Sequence, residues 1–380
     1  MTRTDTHATP DTATLAGLFG RSLLLTTDWT AAELEALLAV AARFEAAQRA
    51  GRATALVPDE LAYALFFDNS TRTKSAWAGA AARLGMRPVI VDGGSTQVEH
   101  GETAAETGAM LGMNSHALGV RHDLILGEGQ PFMREMKRGI DDYLAATGET
   151  RKVPLVNLQC DVDHPTQTLA DLAWLRERIP EGLQGRRIAV TWAYSPSYAK
   201  PLSVPQGLVT LLTRFGASVT LAYPEGYRLT EGPLEAARGS ARAAGGTFHI
   251  TDSMDEAFEE ADAVYPKSWG PHDLMLERVE AHRERDAKRM KDIETRALAR
   301  NASHRDWVCD ERRMGLTAGG DALYLHCLPA DIGAEVSPGV MARHRMNVAR
   351  QANKKLFVIM ALLAVAKVPD LARRLEGLLP

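Results

Sequence analysis

Short apolar runs alternate with helical patterns along most of this 380-residue chain. The clearest run, Leu61 to Phe67, precedes an Ala-rich helical stretch from Ser75 to Gly85, and further runs follow at 88–91, 117–120 and 153–158. Apolar runs of this length, each separated from the next by a helix, are typical of parallel strands joined by crossovers. The sequence therefore predicts an α/β fold in which helices cover both faces of a parallel sheet.

The alternation restarts after a break at residues 179–182, where Pro180 and Gly182 interrupt the helical pattern. Strand-like runs follow at 187–192, 218–222, 247–250, 263–265 and 322–325. A chain of this length accommodates two or three domains. We expect two doubly wound parallel-sheet domains, the first formed by residues 1–179 and the second by residues 180–352.

Composition excludes several classes of function. A net charge of −4 and a pI near 6.3 argue against a nucleic-acid-binding protein. The three cysteines form no disulfide framework and fit a reducing cytoplasm. Residues 1–14 lack the apolar core of a signal peptide, and the apolar run 356–366 is too short to span a membrane. We therefore expect a cytoplasmic protein with no nucleic-acid or membrane partner.

The sequence offers no signal for a bound metal or cofactor. His, Cys and carboxylate residues nowhere show the spacing of metal ligands. Gly127-Glu128-Gly129 lacks the third glycine of a dinucleotide-binding turn. We expect neither a metal nor a cofactor.

The residues between the first strand and its helix, Asp68 to Lys74, carry hydroxyl groups and two cations. The free N–H groups of a helix N-terminus favour anions, and an arginine fork with nearby hydroxyls suits a phosphate. This stretch therefore indicates a phosphate site. The alternative is an ordinary helix cap whose charged side chains are solvated.

Chemically active residues also follow other predicted strands. They are Arg121, His164 with Gln167, and Cys327 with Leu328. Taken singly, Arg121 could form a surface ion pair, His164 a turn and Cys327 a buried contact. Ligands of parallel α/β sheets bind beyond the carboxyl ends of the strands, so their shared placement predicts one site.

Three motifs then point to a family: Ser70-Thr71-Arg72-Thr73, the stretch from His164 to Asp171 (HPTQTLAD), and His326-Cys327-Leu328-Pro329. Their order and distances resemble those of the aspartate/ornithine carbamoyltransferase superfamily. The stretches 191–196 (TWAYSP) and 265–269 (YPKSW) resemble its knotted branch, which holds the acetylornithine-type and YgeW-type proteins, and the YgeW type is more similar. The resemblance implies a carbamoyltransferase with a knotted second domain.

The resemblance also implies roles for these residues. Ser70, Thr71, Arg72 and Thr73 would bind the phosphate of carbamoyl phosphate. Arg121, His164 and Thr73 would face its carbonyl oxygen. Gln167 and the carbonyl groups near Cys327 and Leu328 would face its amide nitrogen. Arg121, His164, Gln167 and Cys327 are thus the expected catalytic residues, with Cys327 a contact rather than a nucleophile.

Assembly is a further implication of the resemblance. Gln97 lies in the glycine-rich loop 93–100, which in this superfamily completes the neighbouring subunit's site, so a homotrimer with shared sites is implied. The alternative for Gln97 is a flexible surface loop. The terminal helix, from about Asn353 to residue 380, would cross back onto the first domain.

The acceptor region departs from the known patterns. Lys267-Ser268-Trp269-Gly270 stands where ornithine enzymes have D-x-x-x-S-M-G, and Asp331 follows the third motif where acetylornithine enzymes have a lysine. The family's Asn-Arg pair has no clear counterpart near Gln351. The candidate acceptor residues are Tyr194, Lys267, Ser268 and Trp269 for anionic and polar groups, and Asp331 for a cationic or amide group.

These departures predict a small acceptor with a carboxylate and an acylated or ureido-type nitrogen, rather than ornithine or aspartate. The alternative is a catalytically weak family member that binds a carbamoyl or phosphate metabolite as a regulatory or assembly protein.

Overall fold

Two parallel β-sheets form the framework of the protein in a computed structural model that describes residues 11–197 and 200–378. The first sheet contains β1 (Leu61–Phe66), β2 (Arg87–Asp92), β3 (Ala117–His122) and β4 (Leu155–Cys160). The second contains β5 (Arg187–Thr191), β6 (Ser218–Ala222), β7 (Phe248–Thr251), β8 (Ala263–Pro266) and β9 (Leu323–Tyr324). Every pair of neighbouring strands is parallel, which confirms the predicted α/β fold of two parallel-sheet units.

Helices connect the strands and cover the sheets. Those before β5 are α1 (Thr12–Gly17), α2 (Ala31–Arg49), α3 (Thr71–Arg83), α4 (Ala104–Asn114), α5 (Gly129–Thr147) and α6 (Pro165–Arg178). Those after it are α7 (Ser203–Arg214), α8 (Glu231–Ala244), α9 (Met254–Phe258), α10 (His272–Arg283), α11 (Ala287–Ala302), α12 (Glu311–Met314), α13 (Pro338–Lys367) and α14 (Leu371–Glu376). Within the described residues, no helix combines the length and apolarity needed to cross a membrane.

Strand order places one crevice in each sheet. The first sheet has the order β2-β1-β3-β4 and the second has β7-β6-β5-β8-β9. Each order reverses direction once, between β1 and β3 and between β5 and β8. In open parallel sheets, such a reversal leaves a crevice beyond the carboxyl ends of the two strands. Arg72 follows β1 and Arg121 is the penultimate residue of β3, so both candidate cations border the first crevice.

Helix α3 is held against the first sheet by Trp77. Its indole is fully buried and donates a hydrogen bond to the carbonyl of Ala62 in β1 at 3.3 Å. A side chain at Gly119 of β3 would lie 2.9 Å from the Trp77 ring, so only glycine permits this close approach. This packing fixes the N-terminus of α3 above the carboxyl ends of β1 and β3.

The long helix α13 begins at Pro338 and not near Asn353, and it ends at Lys367 before the short α14, so the expected bounds of the terminal helix are wrong. Ser337 caps it by accepting a hydrogen bond from the Val340 N–H at 3.2 Å, and proline suits the first helical turn. The helix continues through Lys367 and packs on α2, α3 and α6 of the first domain. One rigid element therefore runs from the second domain to the first. The boundary near residue 180 remains a prediction.

Candidate functional site

The phosphate stretch forms the first turn of α3. Ser70 is its N-cap, and its Oγ accepts a hydrogen bond from the Thr73 N–H at 3.2 Å. The predicted cap is therefore present, beside a half-buried Arg72 and a buried Thr73. Burial lowers the pKa of Arg72, and the charge of Arg121 lowers it further. Its buried Nε has no hydrogen-bond partner among the described residues, which leaves a guanidinium donor for an anion.

Arg121 lies beside Phe66 in the sheet register, at the carboxyl ends of β3 and β1. Its guanidinium donates to Asp123 through Nε at 2.9 Å and Nη2 at 3.0 Å, and it reaches Asp68 at 3.4 Å. Burial raises the pKa of Asp123, while Arg121 opposes that rise. These carboxylates hold the guanidinium in place at the edge of the crevice.

His164 caps α6 immediately before Pro165 and is buried. Its Nε2 lies 3.2 Å from the Nζ of Lys355, and its Nδ1 lies 3.4 Å from the Thr166 hydroxyl. Burial, followed by the charges of Lys355 and Arg121, holds the pKa of His164 well below its usual range. The imidazole is consequently neutral at neutral pH.

Gln167 is oriented by a buried carboxylate, Asp171. The Gln167 amide donates to Asp171 Oδ1 at 2.7 Å, and the Gln351 amide donates to the same oxygen at 2.6 Å. The Tyr265 hydroxyl donates to Oδ2 at 3.0 Å. Burial raises the pKa of Asp171 to about 6, which these three donors oppose. Asp171 thereby joins α6 to β8 and to α13.

Lys355 of α13 is a site residue that the sequence analysis missed. Its side chain is buried, and its Nζ lies 3.2 Å from both the Thr73 hydroxyl and His164 Nε2. Burial lowers the pKa of Lys355 to about 7, with a further contribution from the charge of Arg72. Two lysines interrupting an apolar helix at 354–355 were the available signal.

Cys327 and Leu328 lie on the loop after β9, above the same crevice. The Leu328 N–H donates to His326 Nδ1 at 2.8 Å, and the His326 N–H donates to Gln351 Oε1 at 3.2 Å. Cys327 is buried and close enough to influence the pKa values of Arg72 and Lys355. The structure thus brings together the residues from α3, β3, α6 and the third motif.

Lys267 follows β8 at the second crevice. Its N–H donates to the Thr191 carbonyl at 2.9 Å, and its Nζ donates to the Ser268 carbonyl at 2.6 Å. Burial and then the charge of Lys200 lower the pKa of Lys267, while Cys327 and Glu335 oppose this. Cys327 therefore lies close enough to act electrostatically on Lys267 as well as on Arg72 and Lys355.

Asp331 is already paired in the structure. Lys200 reaches Asp331 Oδ2 at 2.6 Å and Glu335 Oε1 at 3.0 Å, and the Ser195 hydroxyl also donates to Asp331. Burial lowers the pKa of Lys200, but Glu335 and Asp331 outweigh this and raise it. The fully buried Glu335 accepts from the Ser268 N–H at 2.7 Å. Sequence reasoning missed Lys200 and Glu335, which belong to no family motif quoted above.

Three of the residues that the sequence predicts for the site lie apart from the side chains at the two crevices. The Trp269 indole is buried and donates to the Tyr227 carbonyl at 2.7 Å, which makes it a core residue. Tyr194 is half-buried, with the Arg305 guanidinium 5.7 Å from its ring centre. Gln97 is exposed on the short 3₁₀ helix Gln97–His100. In the described residues, no three His, Cys, Asp or Glu side chains form a metal-binding group.

Comparisons with known proteins match both halves of the chain to one family. Residues 21–177 match the aspartate/ornithine carbamoyltransferase carbamoyl-P binding domain, and residues 202–366 match the Asp/Orn binding domain of the same family. Among solved structures, the ornithine carbamoyltransferase from Pyrococcus furiosus superimposes with a TM-score of 0.73 at 26% identity, covering 92% of this chain and 98% of that one.

Relatives that match this chain over most of their length support the same family assignment. The chain is 45% identical to the "Putative carbamoyltransferase YgeW" of Escherichia coli K12 over 370 residues, covering 95% of this chain and 93% of the relative. It is 29% identical to the N-acetylornithine carbamoyltransferase of Xanthomonas campestris over 364 residues, covering 90% and 97%. The protein therefore belongs to the aspartate/ornithine carbamoyltransferase family.

Proposed function

We propose that this protein transfers the carbamoyl group of carbamoyl phosphate to a nitrogen of a small, carboxylate-bearing acceptor and releases phosphate. The observation that carries the proposal is the convergence of cations and neutral donors at the N-terminus of α3. Arg72 and Thr73 come from that helix, Arg121 from β3 and His164 from the start of α6. Membership of the family supports this chemistry.

The phosphate lies, in this proposal, against the first turn of α3. Free N–H groups and the positive end of the helix dipole favour a dianion there. Ser70, Thr71 and Thr73 supply hydroxyl donors, and Arg72 supplies a guanidinium whose Nε has no partner in the described part of the chain. A charge-assisted hydrogen bond is roughly twice as strong as a neutral one, so Arg72 contributes most to affinity.

The reaction is an acyl transfer without a covalent enzyme intermediate. The lone pair of the acceptor nitrogen forms a bond to the carbonyl carbon, and the bond from that carbon to the phosphate oxygen breaks. The departing phosphate is suited to accept the nitrogen's proton. Arg121, the neutral imidazole of His164 and the Thr73 hydroxyl stabilise the negative charge that develops on the carbonyl oxygen.

The amide of the carbamoyl group faces Gln167 and the carbonyls near Cys327 and Leu328. Asp171 fixes the Gln167 amide by accepting one of its N–H donors, so the remaining amide oxygen can accept from the substrate. Cys327 acts through its position and not as a nucleophile. Catalysis therefore rests on orientation and on preorganised donors.

The acceptor carboxylate interacts with Lys267, with Ser268 and Tyr194 as polar neighbours. An α-ammonium group, which ornithine carries in addition to its attacking amine, would be repelled by Lys267 in a site shielded from water. The relative named N-acetylornithine carbamoyltransferase is consistent with an acylated acceptor. Asp331 pairs with Lys200, whose charge acts on Lys267.

We extend the proposal to assembly, fold and location. A homotrimer in which Gln97 reaches the neighbouring subunit's site agrees with its exposed position on the 3₁₀ helix. Contacts between the region of Ser195 to Lys200 and later parts of the chain support a knotted second domain. The Ser195 carbonyl accepts a hydrogen bond from the side-chain amide of Asn301, and the Lys200 carbonyl accepts one from the Gly270 N–H. Three free cysteines fit a reducing cytoplasm.

The test is acceptor-dependent phosphate release from carbamoyl phosphate. The acceptor panel holds amines, amides, N-acylated amino acids and ureido acids, with mass spectrometry of the products. The Arg72→Ala variant corrects for spontaneous breakdown of carbamoyl phosphate. We expect turnover with a carboxylate-bearing acylated or ureido acceptor. Binding of carbamoyl phosphate without turnover on any acceptor would instead support a regulatory or assembly role.

A further inference from the structure

Two neighbouring lysines of α13 have opposite electrostatic surroundings. Lys354 reaches Glu45 at 2.5 Å and also pairs with Glu177, so its charge is matched by two carboxylates. Lys355 lies on the inner side, with only the Thr73 hydroxyl and His164 Nε2 within hydrogen-bond distance in the described residues. Among the described residues, the inner lysine therefore has no ion pair to stabilise its charge.

The charged and titratable groups around Lys355 come from α3, β3, α6 and the loop after β9. Arg72 of α3 and Arg121 of β3 are cations, and both disfavour a charged amine. Asp171 of α6 and Cys327 of the third motif have the opposite effect, and His164 is neutral. Asp171 is engaged by Gln167, Gln351 and Tyr265, so its carboxylate does not reach the amine directly.

The same amine borders the place proposed for phosphate. Thr73 Oγ1, which contacts Lys355 Nζ at 3.2 Å, belongs to the first turn of α3. It follows Arg72, whose buried Nε has no hydrogen-bond partner within residues 11–197 and 200–378. A dianion bound to that turn would introduce negative charge close to Lys355. Opposite charge at short range favours the protonated form of an amine.

We propose that Lys355 is a further phosphate-binding residue that takes up a proton when carbamoyl phosphate binds. At pH values above about 7 the amine is mostly neutral in the ligand-free site, and it becomes an ammonium that donates to the bound dianion. Binding of the substrate is thereby coupled to protonation of the enzyme. The inference rests on the proposed function, since it requires carbamoyl phosphate in this site.

The coupling has a definite pH dependence. Because burial lowers the pKa of Lys355 to about 7, the fraction of free enzyme that must gain a proton rises as pH increases through that value. Carbamoyl phosphate affinity should therefore fall above neutral pH, by up to about tenfold per pH unit for one coupled proton. Below neutral pH the amine already carries its proton, so this contribution disappears.

The experiment is calorimetric titration of carbamoyl phosphate into the enzyme, in buffers of different ionisation enthalpy, between about pH 7 and 8.5. The dependence of the heat on the buffer counts the protons taken up. We expect wild-type uptake to exceed that of Lys355→Arg by about half a proton near pH 7 and by nearly one at pH 8.5. Arginine remains charged throughout, so it preserves the cation but removes the uptake.

Controls separate the possible outcomes. Lys354→Arg should match wild type, since its charge is paired on the outer side. Lys355→Met should also lose the excess uptake, with circular dichroism confirming that it folds. Equal uptake by wild type, Lys355→Arg and Lys355→Met would overturn the inference while leaving the proposed function intact. Absence of carbamoyl phosphate binding by wild type would overturn both.

Discussion

The side-chain amide of Gln167 donates to Asp171 Oδ1 at 2.7 Å, within one turn of α6. Gln351 of α13 and Tyr265 of β8 complete the coordination of this buried carboxylate. The residue proposed to face the carbamoyl amide is thus oriented by an acidic group that also holds the two domains together. Asp171 is a positioning residue rather than a catalytic one.

Stability should therefore depend on pH through Asp171. Burial raises its pKa to about 6, above its usual value, so the folded state binds the proton more tightly than the unfolded state. Its contribution to stability is fully present below the unfolded pKa of about 4 and is lost as pH rises through about 6. Asp171→Asn should flatten this part of the pH dependence, measured by thermal unfolding in buffers across that range.

Asp171→Leu provides the matched comparison for Asp171→Asn. Leucine leaves the Gln167, Gln351 and Tyr265 donors buried without an acceptor, and the loss of stability should be about 3 kcal/mol or more. The Asp171→Asn variant retains one acceptor oxygen and should therefore lose less stability than Asp171→Leu. Equal stability of the two variants in urea unfolding would contradict the proposed orientation of Gln167.

Arg72→Ala should weaken carbamoyl phosphate binding by about 2–5 kcal/mol, because it removes a charged donor from a partly buried anion site. Isothermal calorimetry measures this directly. Arg83→Ala is the control, since Arg83 lies at the other end of α3 and donates to Gln48 and to the Gly79 carbonyl. Near-wild-type affinity of Arg72→Ala would remove Arg72 from the phosphate site.

Mixed assemblies test the proposed role of Gln97. An Arg72→Ala chain and a Gln97→Ala chain should each be impaired alone. If the sites are shared, reassembly of the two should create some sites that contain neither substitution, and activity should return. Light scattering establishes the oligomer first. A monomer, or no recovery of activity after confirmed mixing, would argue against shared sites.

Acceptor choice can be tested at Lys267. At saturating carbamoyl phosphate, formation of citrulline from ornithine and of carbamoylaspartate from aspartate should fall far below a typical enzymatic rate of about 10 per second. Lys267→Ala should raise the KM of the true acceptor, because the substitution removes the cation proposed to bind its carboxylate. Carbamoyl phosphate affinity of that variant, measured separately, should change little. Rapid turnover of ornithine or aspartate would contradict the acceptor assignment.

The two neighbouring lysines of α13 should also differ in their effect on stability. Lys355→Met should raise the ligand-free Tm near pH 7, because it removes a buried amine whose charged form is disfavoured. The gain should shrink as pH rises towards about 10, where the unfolded state also loses its proton. Lys354→Met should lower the Tm, with a loss of stability on the order of 1 kcal/mol. Glu45 and Glu177 each lose one cationic partner, although Arg49 still pairs with Glu45 and Arg350 with Glu177.

The sequence by itself was sufficient for the parallel sheets and for much of the first crevice. Apolar strands, helical periodicity and turn residues are local signals, so the nine strands and the cap at Ser70 could be predicted from short stretches. Polar residues after successive strands could likewise be assigned to one edge, because parallel strands all end on the same side. Their shared position after predicted strands was enough to group Arg72, Arg121 and His164.

Only the tertiary structure decided the contacts between distant parts of the chain. Lys355 meets Thr73 and His164 because α13 packs on the first domain, across separations of 282 and 191 residues. Lys200 likewise pairs with Asp331, and Trp269 turns into the core. Periodicity reports the spacing within one element and not which elements pack together, so neither the charge of Lys355 nor the pairing of Asp331 could be derived from it.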